Sequence, residues 1–219
     1  MDWSIIQQSL PQFGAALWLT VWLSVVGIAG AIIVGAIASL FQYFKVPVIH
    51  QIATVYIDIA RNTPLLVQLF FIYYGLPGLG FKISATASGI VGLVFLGGSY
   101  MAEAFTSGYN AIKKSQLESG RALGLTNRQL AHYVVIPQGL AASVPALAAN
   151  VIFLIKETSI FTVIAIPELT NTALDLIGLY YRSSEYLFEL VVAYAIILIP
   201  LSVGLTWLER RVRYGQFGH

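Results

Sequence analysis

The chain has 219 residues, of which 58% are hydrophobic, only 10% are charged and none is cysteine, and its net charge is +2. A soluble domain is about 25% charged, so an ordinary soluble enzyme is excluded, as are disulfides, thiolate metal sites and cysteine nucleophiles. With a mean hydropathy of +0.78, the composition is that of a polytopic membrane protein.

The first residues, DWSIIQQSLPQF, mix Trp3, Ile5, Ile6 and Leu10 with Gln7, Gln8 and Ser9, which predicts a short helix lying on a membrane surface. No basic n-region precedes the apolar run, so it does not read as a cleaved signal peptide. Five apolar stretches then have the length that a bilayer crossing needs, about 20 residues. They run over Phe13 to Leu40, Pro47 to Leu76, Thr86 to Ala111, Pro137 to Ile164 and Tyr186 to Leu208. Within the first, Gly27, Ala31, Gly35 and Ser39 recur every fourth residue. Such a small-residue stripe lets a second helix approach closely and favours packing inside the chain over a subunit interface.

Between spans three and four the chain becomes polar. Ser115 to Leu123 predicts one short helix, with Gly124 where a left-handed C-terminal cap belongs. Thr126 and Gln129 have capping-box spacing and open a second helix. Pro137 fits the first turn of the next membrane helix, where its missing N–H is harmless.

Basic residues orient the spans. With the N-terminus outside, Lys45, Lys113, Lys114, Arg121, Arg128, Arg210, Arg211 and Arg213 are cytoplasmic, and only Lys82 and Arg182 are external. The external loop from Pro167 to Glu185 carries Glu168, Asp175 and Glu185. The C-terminus is then cytoplasmic. No linker or repeat is visible, so residues 1–219 read as a single membrane domain with a polar loop at about 112–137.

That loop carries the frame Glu118-Ser119-Gly120, three residues, Gly124, nine residues, Val134-Val135-Ile136-Pro137. It resembles the EAA-x3-G-x9-I-x-LP signature of bacterial ABC importer permeases, with small or aliphatic replacements at Ser119, Gly120, Val134 and Ile136. RNTPLLVQLFFIYYGLP (Arg61 to Pro77), YMAEAFTSGYNAI and IKETSIFTVIAIPEL (Ile155 to Leu169) resemble further segments of the polar amino acid permeases, the histidine, glutamine and arginine type, with Asn62 where glycine is usual. The resemblance implies an all-α type I importer permease fold of about five spans, with an N-terminal interfacial helix and a cytoplasmic coupling helix. It makes Glu118, Ser119, Gly120, Arg121 and Gly124 the contact with the ATPase. Two ABC ATPase subunits, a second permease subunit (identical or not) and an extracytoplasmic amino-acid-binding protein are the implied partners, besides the amino acid substrate and membrane lipid. ATP and magnesium belong to the ATPases, and this chain carries no cofactor of its own.

Charges at bilayer depth are costly and need a partner or a watery path. Asp58, Arg61, Glu103, Lys156 and Glu157, with Glu189 near an outer end, are the candidates. Asp58 and Arg61 are three apart and can neutralise each other on one helix face, and Pro64 breaks the same helix. Lys156 and Glu157 point about 100° apart, one toward a pathway and the other toward a partner such as Glu103. Lys156, Glu157, Thr158 and Ser159 offer the acid, base and hydroxyls that a zwitterion needs. Asp58, Arg61, Glu103, Lys156, Glu157 and Thr158 are therefore the candidate substrate pathway.

Several chemistries lack their residues. GLPGLGFK at Gly75 to Lys82 has Phe81 where a P-loop needs lysine, so ATP must bind elsewhere. His50, His132 and His219 are scattered and suggest no metal site. The basic residues follow membrane topology and not a nucleic-acid surface. The reading is a non-catalytic permease of an ATP-driven importer in the bacterial inner membrane. The rival is a stand-alone, ion-coupled transporter, whose usual internal repeats are not visible.

Overall fold

The computed structural model describes residues 1–217, and side chains as far as 212, so His219 lies outside the described residues. No strand occurs among them. Four helical runs among the described residues are long and apolar enough to cross a membrane, and one bent pair makes a fifth.

The first helix, α1 (Trp3–Tyr43), is one continuous element of 41 residues. At 1.5 Å per residue it is about 60 Å long, twice the thickness of a hydrocarbon core. The amphipathic N-terminal segment is thus helical, as expected, but it extends the first span and is not a separate helix. Its N-terminus is tied to the start of α9 (Ser183–Phe217): the Asp2 N–H donates to Glu185 at 3.1 Å and the Ser9 hydroxyl donates to Glu189 at 2.7 Å.

Helix α4 (Ala85–Asn110) is the most enclosed span and packs against α1, α2 (Ile49–Arg61) and α7 (Ile136–Glu157). The small-residue stripe of α1 explains the closest of these contacts. A Cβ on Gly27 would lie 2.5 Å from the Leu93 side chain, and one on Gly35 would meet Met101 and the backbone of α4. The stripe therefore serves packing within the chain, as its spacing suggested. A second tight crossing joins α4 to α7, where a Cβ on Gly108 would strike Ser143 and the Gly139 carbonyl.

The second span is broken. Helix α2 ends at Arg61, and α3 (Leu65–Phe70) with the following turns to Leu79 departs from it by 103°. Pro64 cannot continue a helix, because it has no N–H and its ring clashes with the carbonyl four residues back. The exposed carbonyls do not open toward a cavity. Gln68, buried, folds back and donates to Ala60 and Thr63, each at 3.0 Å. Asn62 holds φ −93°, which needs no glycine.

The polar loop forms α5 (Lys114–Ala122) and α6 (Asn127–Leu130). Pro137 lies in the first turn of α7, as expected, although Asn127 to Ile164 run on as one helical span. A wide π turn over Ala131–Val135 precedes Pro137 and gives its ring room. After α7 the chain tightens into a 3₁₀ segment (Thr158–Ile164). The expected external loop from Pro167 to Glu185 is mostly a helix, α8 (Leu169–Tyr180). Glu168 caps it and is fully buried.

Candidate functional site

Two groups of residues carry charge where the fold has something to do with it. The first is the α5–α6 loop. Helix α5 closes with a full left-handed cap: the Gly124 N–H donates to Arg121 at 2.9 Å and the Leu125 N–H to Gly120 at 3.1 Å, with Gly124 at φ 81°. The Thr126–Gln129 capping box is present and starts α6. Gly120 is the seam between the two helices, since a Cβ there would strike the buried Leu130 side chain. The loop is thus a rigid helix–turn–helix and not a slack connection.

This rigidity places the predicted residues unequally. Glu118, Ser119, Arg121 and Gly124 are exposed, whereas Gly120 is buried against α6. Leu117 and Arg121, one turn apart, line a cleft with the end of α1. Leu123 was not singled out by its sequence, yet it is 83% exposed at the turn. The signal was available: an apolar residue immediately before a capping glycine has no helix of its own to bury against.

The second group lies within the spans. Arg61 does not pair with Asp58; its guanidinium meets Glu103 of α4 at 2.6 Å and lies over the Tyr100 ring, 5.5 Å from its centroid. Asp58 is exposed, and its backbone carbonyl accepts from the Asn62 side chain. The expectation failed because spacing along one helix sees only that helix, and Glu103 approaches from another. Glu103 is therefore Arg61's partner and not that of Lys156 or Glu157.

Helix α7 joins the same face. Asn150 donates to the Tyr100 carbonyl at 3.0 Å and the Phe153 ring packs against Tyr100. Glu157 is seven residues from Asn150, hence within about 20° of it on the helix, while Lys156 is turned about 100° from Glu157. Glu157 is half-buried and Lys156 exposed. Thr158 is buried and donates to Ile155 at 2.6 Å, so its hydroxyl is satisfied locally. The structure thus brings Arg61, Glu103 and Tyr100 together beside the α7 face of Glu157, and leaves Asp58 and Lys156 apart from that pair.

At the opposite end from α5, Glu168 accepts from the Thr170 and Asn171 N–H groups at 2.9 and 2.8 Å and lies 3.3 Å from the Tyr194 hydroxyl. The Leu169 N–H donates to Thr20 of α1. Burial pushes the Glu168 carboxyl up to about 7, against these hydrogen bonds, which favour the charged form. Glu168 and Leu169 together thus join α8 to α9 and α1. Among the described residues no three His, Asp or Glu gather in a way that could hold a metal ion.

Residues 27–214 match the family described as binding-protein-dependent transport system inner membrane component. The chain is 34% identical over 215 residues to a glutamine transport system permease protein of Escherichia coli (strain K12), covering 97% of this chain and 98% of that one. It is 32% identical over 206 residues to a probable glutamine ABC transporter permease protein of Bacillus subtilis (strain 168), covering 92% and 94%. Among solved structures, a chain from a crystal structure of an amino acid ABC transporter with histidines superposes with a TM-score of 0.90 at 31% identity, over 96% of this chain and 99% of that one. A chain of an inward-facing methionine ABC transporter superposes with a TM-score of 0.79 at 18% identity, over 94% and 98%, a likeness of fold alone.

Proposed function

Since the chain belongs to the binding-protein-dependent transport system inner membrane component family, we propose that it moves a polar or charged amino acid inward across the bacterial cytoplasmic membrane, driven by ATPases docked on the α5–α6 loop. The chain is a multi-pass, non-catalytic membrane subunit of an ABC importer. ATPase partners and a substrate-binding protein are general to such systems.

The observation that carries the coupling role is the capped turn that holds Leu123 clear of the protein. A rigid helix with an apolar knob transmits a push, whereas a slack loop would absorb it. Glu118, Ser119, Arg121 and Gly124 surround that knob, with Gly120 holding α5 to α6. ATP and magnesium sit on two ATPase subunits. The positive-inside bias of the loops supports a cytoplasmic position for this end, with the N-terminus outside.

The substrate route runs along the face of Arg61, Glu103, Tyr100 and Glu157, against a second permease subunit. Arg61 and Glu103 are exposed on spans that lie at membrane depth, which calls for a partner surface or water. A zwitterion finds both signs of charge there. Asp58, Lys156 and Thr158 flank it. The 103° break at Pro64, closed by Gln68, gives the second span a rigid elbow beside the route.

Reconstitution tests this reading. Proteoliposomes holding the permease with its ATPases, and the binding protein outside, should accumulate labelled glutamine or another polar amino acid only with ATP inside. Ionophores should leave uptake unchanged. Uptake by the permease alone on an ion gradient would overturn it in favour of a stand-alone transporter.

A further inference from the structure

Two clefts flank α6 and the π turn after it, and neither is lined by an acid. The first, about 360 Å³, is walled by Tyr43, Phe44 and Lys45 from the end of α1 and by Leu117, Arg121 and Asn127 from the loop. The second, about 430 Å³, takes Arg128, Gln129, His132 and Tyr133. Lys45 and Arg121 therefore converge on one cavity with no Asp or Glu in its lining, and neither is in an ion pair among the described residues.

Local geometry holds Lys45 there. Its backbone is at φ 50°, a conformation that a non-glycine residue seldom takes. That conformation closes α1 as a left-handed cap, in which the Lys45 N–H donates to Gln42 and the Val46 N–H to Phe41, and the cap fixes where Lys45 leaves the helix. The lining is mixed, with Lys45, Arg121 and Asn127 as its polar groups and Phe44, Leu117, Leu130 and Val135 as apolar surface. Like charges gathered in a cleft repel each other, and a bound anion removes that cost.

We propose that the Lys45–Arg121 cleft binds a phosphate-bearing anion, the phosphodiester of an anionic phospholipid lying beside the end of α1. Basic pockets between spans on the cytoplasmic side suit such headgroups; this placement rests on the orientation proposed above. The bound anion would bridge α1 to the coupling helix through its two cations, stiffening the lever without occupying Leu123.

The test is native mass spectrometry of the full chain in a nonionic detergent, titrated separately with phosphatidylglycerol, phosphatidylcholine and inorganic phosphate. Lys45→Gln and Arg121→Gln should each weaken phosphatidylglycerol binding by about fivefold, and the pair by roughly twenty-five-fold, from the usual contribution of one cation near an anionic surface. Lys82→Gln, at the opposite end, should change nothing, and monodisperse gel filtration would show that each variant is folded. Phosphate competing as well as the lipid, with both lost in the double variant, would support the anion site and identify a soluble occupant. A lipid preference unchanged in the double variant would overturn the proposal. So would loss of ATPase co-purification with that preference intact, since the cations would then serve the protein partner. Neither overturning result touches the transport reading, which uptake measures independently.

Discussion

Replacing Gln68 by leucine removes one amide from a buried site with almost no change in volume. The amide stands between two broken pieces of the second span and donates to the carbonyls of Ala60 and Thr63 at 3.0 Å each. A buried acceptor left unsatisfied costs about 1–3 kcal/mol, so two such losses amount to about 2–6 kcal/mol. Part of this is returned, because the Gln68 Oε1 is itself buried without a hydrogen-bond partner and its removal relieves a penalty of about 1–3 kcal/mol. The net expectation is a destabilisation of about 1–3 kcal/mol, concentrated at the 103° elbow. Hydrogen exchange should rise over residues 60–68 and stay unchanged in α9, and the temperature at which the detergent-solubilised protein loses its monodisperse peak should fall by several degrees. Equal or higher thermal stability, with unchanged exchange at the elbow, would refute the role assigned to Gln68.

Other perturbations separate packing from charge. Gly108→Val should force α4 from α7, because even a Cβ there would strike Ser143 and the Gly139 carbonyl; a cost of about 1–3 kcal/mol for overpacking would appear as reduced recovery of folded protein, while Gly204→Val, in open space, should not. Exchanging the ion pair as Arg61→Glu with Glu103→Arg should restore uptake lost in either single variant if the pair is structural; a double variant as inactive as the singles would show that the position of each sign matters to the substrate. Glu168 has a raised pKa when folded, so its contribution is fully present below about pH 4.5 and is lost as pH rises through about 7. Stability should therefore decline between about pH 4.5 and 7 and level off above, and Glu168→Gln should flatten that decline, by an amount on the order of 1–3 kcal/mol.

Much of this architecture can be read from residues alone, for reasons of range. Hydropathy reports spans because crossing a bilayer is a property of one segment at a time. The α5–α6 loop was equally legible, since Gly124 and the Thr126–Gln129 box act over four residues. What escaped reading depends on distant partners. Arg61 chose Glu103 on another helix over Asp58 on its own. Gln68 gave no sign that its amide would close the break made by Pro64. Helix α8 escapes a hydropathy reading because its 12 residues are too few for a span and acids flank it; only the fold shows Glu168 buried beside Tyr194. The N-terminal helix was separated from the first span because Pro11 and two glutamines interrupt its hydropathy, although Pro11 sits within the continuous helix.

The central claim is that ATPase force enters at the turn after α5. The chain has no cysteine, so Leu123→Cys introduces a unique thiol at a side chain that is 83% exposed. Membranes containing the assembled transporter would be treated with a short bifunctional thiol–amine reagent, with and without ATP, and the products identified by mass spectrometry. A crosslink from position 123 to the ATPase subunit, absent from Leu179→Cys at the other end of the bundle, is the predicted result. A crosslink-free position 123 in a transporter that still hydrolyses ATP and imports substrate would contradict it.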